Sequence, residues 1–284
     1  MTRFSAFSLF AKALGGHKDW PEQWPDAAPK PAYDAIIVGG GGHGLGAAYY
    51  LAKKYGITNV AVLEKGWIGG GNTGRNTTIV RSNYRLKPLH DLFEFGLKMW
   101  EHLSDELNYN VMFSPRGAMF LGHSDADMTK LAERGDAMRC DGIDADLMTR
   151  DEVAKLEPLL DMSRSARFPI EGGLIQRRGG TARHDAVAWG YARAASDRGV
   201  HIIQNCEVTG IRRGPNGEVT GVDTTKGFIG AKKIGVSAAG HSSVVMGMAG
   251  VRLPVHSTPL QALVSEPLKP IFPCVVMSNT VHAY

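Results

Sequence analysis

The sequence predicts an α/β fold, α+β when the whole chain is counted, and three observations carry that reading. First, the wholly apolar run Ala35–Val38 meets a glycine-rich turn, then a stretch of helical period, His43–Tyr55, then a second apolar run, Val60–Leu63. Runs of four apolar residues without alternation suit parallel strands buried on both faces, so this is a βαβ unit. Second, extended and helical stretches keep alternating along the chain. Third, the closing stretch from Pro259 to Tyr284 reads as strands of a different sheet.

Composition sets the limits. The 284 residues are 43% apolar and 21% charged, which is ordinary globular usage with room for one or two domains. A net charge of +4 with no basic stripe argues against a nucleic-acid partner. Cys140, Cys206 and Cys274 share no close spacing, so neither a disulfide framework nor a zinc motif is expected, and no metal. That usage suits a reducing, cytoplasmic location. Residues 1–32 lack a clear period. Their apolar run Phe7–Phe10 is cut by Lys12, too short for a signal peptide, and they read as a leader that packs on the protein or on a partner. No run approaches the roughly 20 apolar residues of a membrane span, and no membrane association is expected.

The elements follow in order. Leu86–Leu103 has helical period, with Leu89, Leu92, Phe93, Met99, Trp100 and Leu103 on the face expected to be buried. A strand near Ala118–Leu121 precedes helices at about 125–139 and 150–157. The second of these opens on a capping box, Thr149 with Glu152 three residues on. A helix at about 185–198 and a strand, His201–Val208, come next. The tetrapeptide GPNG at 214–217 marks a hairpin turn before Val219–Asp223, and KKIGVSAAG reads as a strand running into a glycine.

Gly39, Gly41 and Gly44 satisfy G-x-G-x-x-G between a buried strand and a helix, and Glu64 ends the next strand 20 residues after Gly44. Each part has a physical task. Gly39 permits the tight turn, Gly41 lets backbone approach a pyrophosphate, and Gly44 lets helix and strand pack closely. The helix N-terminus offers N–H groups and a positive dipole to the anion, and Glu64 can accept hydrogen bonds from a ribose diol. A second glycine-rich loop follows directly, EKGWIGGGNTGRNTTIVRSNY, and leads into a Thr-rich strand. That continuation fits a long FAD; a nicotinamide enzyme would typically proceed to another plain βα repeat.

Four stretches, YDAIIVGGGGHGLGAAYYLAKKYGITNVAVLEKGW, GGNTGRNTTIVRSNY, RHDAVAWGYARAASDRGVHIIQNCEVTG and PLQALVSE, stand in this order. Together they resemble the beta subunits of heterotetrameric sarcosine oxidases. These are FAD-dependent amine oxidases of the glycine oxidase and dimethylglycine dehydrogenase type, and the resemblance runs from about Trp20 to Tyr284. It implies a Rossmann-like FAD-binding domain interleaved with an antiparallel-sheet substrate domain. It also implies non-covalent FAD, with Gly42, His43, Glu64, Asn72, Thr77 and Ile79 at FAD-contacting positions and Val208 touching the adenine through its backbone at the end of a strand.

The same resemblance implies a second flavin, FMN, attached covalently through the histidine of a basic–His–Asp segment before VAW, here His184 between Arg183 and Asp185. Taken alone, a histidine near a helix start reads as a solvated or capping residue. Arg81 corresponds to the arginine that takes the substrate carboxylate, a task suited to a guanidinium fork, with Tyr84 bordering the same pocket. The implied partners are sarcosine, the alpha, gamma and delta subunits, and tetrahydrofolate on the alpha subunit. The implied products are glycine, formaldehyde or methylene-tetrahydrofolate, and hydrogen peroxide.

On this pattern residues 1–32 are a leader, 33–85 the βαβ unit and second loop, and 86–170 mainly substrate or cap region. Residues 171–245 return to the FAD domain with the FMN-attachment segment, and 246–284 begin the substrate sheet. The family's chain continues further, so a C-terminally truncated sequence is expected. Two other readings stay open: a single-flavin glycine, D-amino acid or dimethylglycine oxidase, which needs no covalent flavin at His184, and a catalytically silent FAD-binding subunit.

Overall fold

The computed structural model describes residues 5–18, 20 and 22–284. The chain divides into two units, one formed by residues up to Trp67 with Ala192–Leu253, the other by Ile68–Tyr191 with Pro254–Tyr284.

The first unit contains two four-stranded sheets. One comprises β1 (Ala32–Tyr33), β12 (Gly227–Ala231), β11 (Val219–Thr224) and β10 (Val208–Arg213), in that order. The other is parallel throughout, in the order β13 (Ile234–Val236), β2 (Ala35–Val38), β3 (Val60–Leu63) and β9 (His201–Ile203). Every residue of β2 and β3 is buried, as unalternating apolar strands require. Helix α2 (Gly42–Tyr55) joins them, burying Leu45, Ala48, Tyr49 and Ala52. It ends on Gly56, left-handed at φ 66°, whose N–H donates to the Ala52 carbonyl while the Ile57 N–H donates to the Leu51 carbonyl. One core links both sheets through Ile36, Leu63, Ile203, Val222 and Ile229, and each such side chain taken from water contributes about 1.5–3 kcal/mol. Helix α7 (Ser242–Met248) adds Val245 to that core.

Helix α1 (Ala6–Leu14) is capped by the Ser5 side chain and buries none of its residues. The segment in which the sequence showed no clear period is therefore partly helical. The expected strand His201–Val208 is two strands. Asn205 takes a left-handed turn at φ 50°, and the N–H groups of Asn205 and Cys206 donate to the carbonyls of Gly66 and Glu64, so Val208 starts β10 in the other sheet. The GPNG turn joins β10 to β11 as an antiparallel hairpin.

The second unit is built on a sheet ordered β14 (Val275–Met277), β5 (Ala118–Gly122), β7 (Gly172–Gln176) and β6 (Asp146–Thr149). Alternate residues of β5 serve opposite faces. Ala118 and Phe120 join the cluster of Leu131 and Met138 from α4 (Asp125–Cys140), while Met119 joins that of Val153 from α5 (Arg150–Leu156). The Thr149–Glu152 capping box of α5 is formed on both sides. A short pair, β4 (Ile79–Val80) with β8 (Gly180–Thr181), precedes α6 (His184–Ser196). The chain passes back to the first unit within α6.

Helix α3 (Lys87–Leu107) buries a different stripe from the one its apolar residues suggest. His90, Glu94, Leu97, Leu103 and Leu107 are inside, whereas Leu92 is 61% exposed. The two polar residues turn inward because each finds hydrogen-bond partners there: His90 meets Asp141, and Glu94 meets the buried Ser82 and the partly exposed Arg178. The C-terminal stretch also departs from expectation. Residues 254–273 carry no strand, and only Val275–Met277 joins a sheet, parallel to β5. Five prolines, Pro254, Pro259, Pro267, Pro270 and Pro273, remove the N–H groups that a ladder needs. Among the described residues no helix is long and apolar enough to cross a membrane, and no group of His, Cys, Asp and Glu could hold a metal ion.

Candidate active site

In the first unit, the glycine loop connects β2 to α2. Gly39 has φ 114°, and a Cβ there would lie 2.3 Å from the Ser237 carbonyl oxygen. A Cβ on Gly44 would lie 2.0 Å from the Gly39 carbonyl oxygen. Both positions therefore require glycine, one for backbone conformation and one for helix–strand approach. Gly41 is the helix N-cap in an extended conformation, and Gly42, His43 and Gly44 form the first turn, which holds no acidic side chain. The positive end of the helix dipole thus stands without a carboxylate of its own helix.

Glu64 is fixed beside this loop. One carboxylate oxygen accepts from the Gly40 N–H at 2.8 Å and the other from the Gly66 N–H at 2.9 Å. Each oxygen has a second lone pair for a further donor such as a ribose hydroxyl. Val208, expected at the end of a strand, is buried at the start of β10.

In the second unit, the second glycine loop forms a 3₁₀ turn, Asn72–Arg75. The Asn76 side-chain amide donates to the Thr73 carbonyl at 2.5 Å, while its side-chain oxygen accepts from the Thr78 N–H at 2.6 Å. Thr78 is held left-handed at φ 63°. Thr77 is exposed, and Ile79 pairs with Thr181. The Ala182 N–H donates to the Thr78 carbonyl. Two stretches far apart in sequence, 77–81 and 180–184, therefore run side by side. Gly180 is required here, since a Cβ would fall 1.9 Å from the Ser114 carbonyl oxygen.

His184 is the first residue of α6. Its Nδ1 is buried and has no hydrogen-bond partner among the described residues. A capping imidazole would accept a backbone N–H of the first turn, and Nδ1 accepts none. Arg183 pairs instead with Asp185 at 2.9 Å, and Asp185 accepts from the Ala186 N–H.

Arg81 and Tyr84 follow β4, where the sheet ladder ends, and side chains take over the backbone's hydrogen bonds. The Gln176 side-chain oxygen accepts from the Ser82 N–H, and the Ser82 hydroxyl donates to Glu94 at 2.7 Å. Arg178 clamps Glu94 from its far side at 2.6 Å. The Tyr84 carbonyl faces Nε2 of the buried His90 at 2.5 Å. Arg81 lies 4.3 Å over the Tyr84 ring, Tyr84 stacks on Phe93, and Arg81 donates to the Asn83 side-chain oxygen at 2.9 Å.

Arg81 and Tyr84 line a cavity of about 510 Å³ together with Arg85, Phe120, Arg134 and Asn279. Among the described residues no carboxylate pairs with any of its three arginines. Burial holds the Arg81 guanidinium below its ordinary range. Arg134 is pushed down to about 10, by burial first and then by the positive charges of Arg81 and Arg85. Three arginines without a carboxylate partner among the described residues give this cavity the charge that suits an anion. Arg134, Phe120 and Asn279 were missed in the sequence, where nothing in the period of α4 marks Arg134 as inward-facing.

The chain matches the family model for FAD dependent oxidoreductases over residues 34–284. It is 58% identical over 282 residues to the sarcosine oxidase subunit beta of Rhizobium meliloti (strain 1021), covering 99% of this chain and 67% of that one. It is 51% identical over 284 residues to the corresponding subunit of Rhodobacter capsulatus, covering 100% of this chain and 68% of that one. The chain thus spans about two thirds of the length of these relatives. Among solved structures, L-proline dehydrogenase from P. horikoshii superposes with a TM-score of 0.80 at 25% identity, over 90% of this chain and 67% of that one. On the family match over residues 34–284 and these identities, the chain belongs to the FAD-dependent oxidoreductases, within the group of sarcosine oxidase beta subunits.

Proposed function

We propose that this chain is the FAD-binding, substrate-oxidising beta subunit of a multi-subunit sarcosine oxidase. The observation that carries the reading is Arg81, a half-buried guanidinium without a carboxylate partner among the described residues, facing a cavity in a chain that also carries a dinucleotide loop. The residues present fit FAD: Gly39 and Gly44 of the loop are sterically obligatory, and Glu64 is fixed with acceptor capacity left over. When bound, FAD supplies the acceptor for the hydride equivalent lost by a secondary amine.

The chain's own contribution is binding and orientation. Arg81 takes the substrate carboxylate in a bidentate grip, and its own hydrogen bond to Asn83 and its stacking on Tyr84 keep the fork from turning. The network of Ser82, Glu94, Gln176 and Arg178 fixes the backbone that carries it. Sarcosine is the substrate we assign, yielding glycine, formaldehyde or methylene-tetrahydrofolate, and hydrogen peroxide. The alpha, gamma and delta subunits are its partners, with tetrahydrofolate bound on the alpha subunit, in the cytoplasm.

His184 is the attachment point for covalent FMN. The reading is supported by the family resemblance of its Arg183–His184–Asp185 segment and by its unpartnered Nδ1. A free imidazole nitrogen is the nucleophile that bonding to a flavin methyl carbon needs. The acid-precipitated beta subunit of the assembled enzyme should stay yellow after washing, with the tryptic flavopeptide containing His184, while FAD washes away. His184→Ala should abolish the bound colour and leave FAD in place. A colourless wild-type precipitate, or a flavopeptide from another segment, refutes the assignment and favours a single-flavin amine oxidase.

A further inference from the structure

The Arg81 cavity carries more positive charge than one carboxylate requires. Arg134 projects into it from α4 and lies 4.2 Å over the Phe120 ring, while Arg81 lies 5.4 Å from the centroid of that same ring. The two guanidinium carbons are therefore less than 9.6 Å apart, within reach of one short ligand bearing two anionic groups. The ring offers cation–π contact to both but neutralises neither. The Arg134 Nε is buried with no hydrogen-bond partner among the described residues, a state that carries a desolvation cost until an acceptor arrives.

We propose that Arg134 is a second anion-binding residue of this pocket, so that the site takes N-methylated amino acids with a second carboxylate on the side chain, N-methylaspartate being the simplest. The proposal rests on the assignment of Arg81 to the α-carboxylate. In it, Arg81 grips the carboxylate common to all substrates, and Arg134 accepts the acidic side chain. Arg85, exposed at the rim, adds to the attraction for anions without fixing a position. Sarcosine has no group for Arg134, so this residue decides specificity among larger substrates.

The test compares N-methylaspartate with its uncharged isostere N-methylasparagine, measured by titration calorimetry on the assembled, flavin-loaded enzyme. One charge-assisted hydrogen bond predicts a preference for the acid of roughly 10- to 150-fold. Arg134→Met should bring the ratio close to one, and Arg134→Lys should restore part of it. The ratio is insensitive to general damage, because both ligands meet the same variant protein. A wild-type ratio near one, a ratio that survives Arg134→Met, or equal weakening of both ligands in that variant overturns the proposal; the last outcome makes Arg134 a support for the shared carboxylate. Arg81→Lys separates the two layers. Unchanged sarcosine binding in that variant refutes the Arg81 assignment, whereas the acid-to-amide ratio in wild type and Arg134→Met judges Arg134 alone.

Discussion

Replacing Glu64 with glutamine changes one oxygen to an NH₂ group and leaves the shape of the side chain intact. In the native protein both oxygens are used: one accepts from the Gly40 N–H at 2.8 Å and the other from the Gly66 N–H at 2.9 Å. A glutamine can satisfy only one of these donors, and the other N–H then faces an amide donor. A hydrogen bond to a charged acceptor is worth about 1.5–3 kcal/mol, and its loss here also leaves one N–H without an acceptor. Glu64→Gln should therefore lower the stability of the flavin-free protein by roughly that amount. FAD affinity should fall as well, because the charged ribose acceptor is gone and the Gly40 turn loses its anchor, by roughly 10- to 150-fold. Denaturant unfolding of the flavin-free protein reads the first effect, and FAD titration followed by flavin fluorescence reads the second. Unchanged stability refutes the two-donor account of Glu64. Unchanged FAD affinity with reduced stability refutes the ribose role and leaves Glu64 as a brace for the loop.

Arg81→Lys should raise the sarcosine KM strongly and leave the bound-flavin spectrum intact, since a lysine keeps the charge but loses the fork. Steady-state kinetics with a preserved KM would place the carboxylate elsewhere. The Asp141 carboxyl is held below the usual carboxylate range, by its hydrogen bond from His90 first and from Lys87 second. Its contribution is therefore complete above the unfolded-state value and lost as pH falls through the lower folded-state value. Asp141→Asn should remove that part of the acid limb of a stability–pH profile, and a variant with the wild-type acid limb would contradict it.

The βαβ unit was legible in the sequence because its signals are local. Four apolar residues in a row, three glycines at fixed offsets and an acid at the strand end each have a cause that lies within a few residues. The structure adds why Gly39 and Gly44 are obligatory: the Ser237 and Gly39 carbonyls occupy the space a Cβ would need. The Thr149 capping box and the GPNG hairpin were readable for the same reason. The assignments of Arg81 and His184 came through family resemblance, since neither residue has a local signature.

What only the tertiary structure decided depends on partners distant in sequence. The buried stripe of α3 could not be read from apolar spacing, because His90 and Glu94 become suitable for the interior only where Asp141, Ser82 and Arg178 meet them. The break at Asn205 follows from hydrogen bonds to Gly66 and Glu64, about 140 residues earlier. Arg134 sits in a polar helix whose period points it nowhere in particular, and it becomes a cavity residue only when Phe120 and Arg81 are brought beneath it. Local chemistry determines which turns and helices form. Which charges end up buried and unpaired is settled by packing, because the cost of removing an ion from water depends on everything that surrounds it.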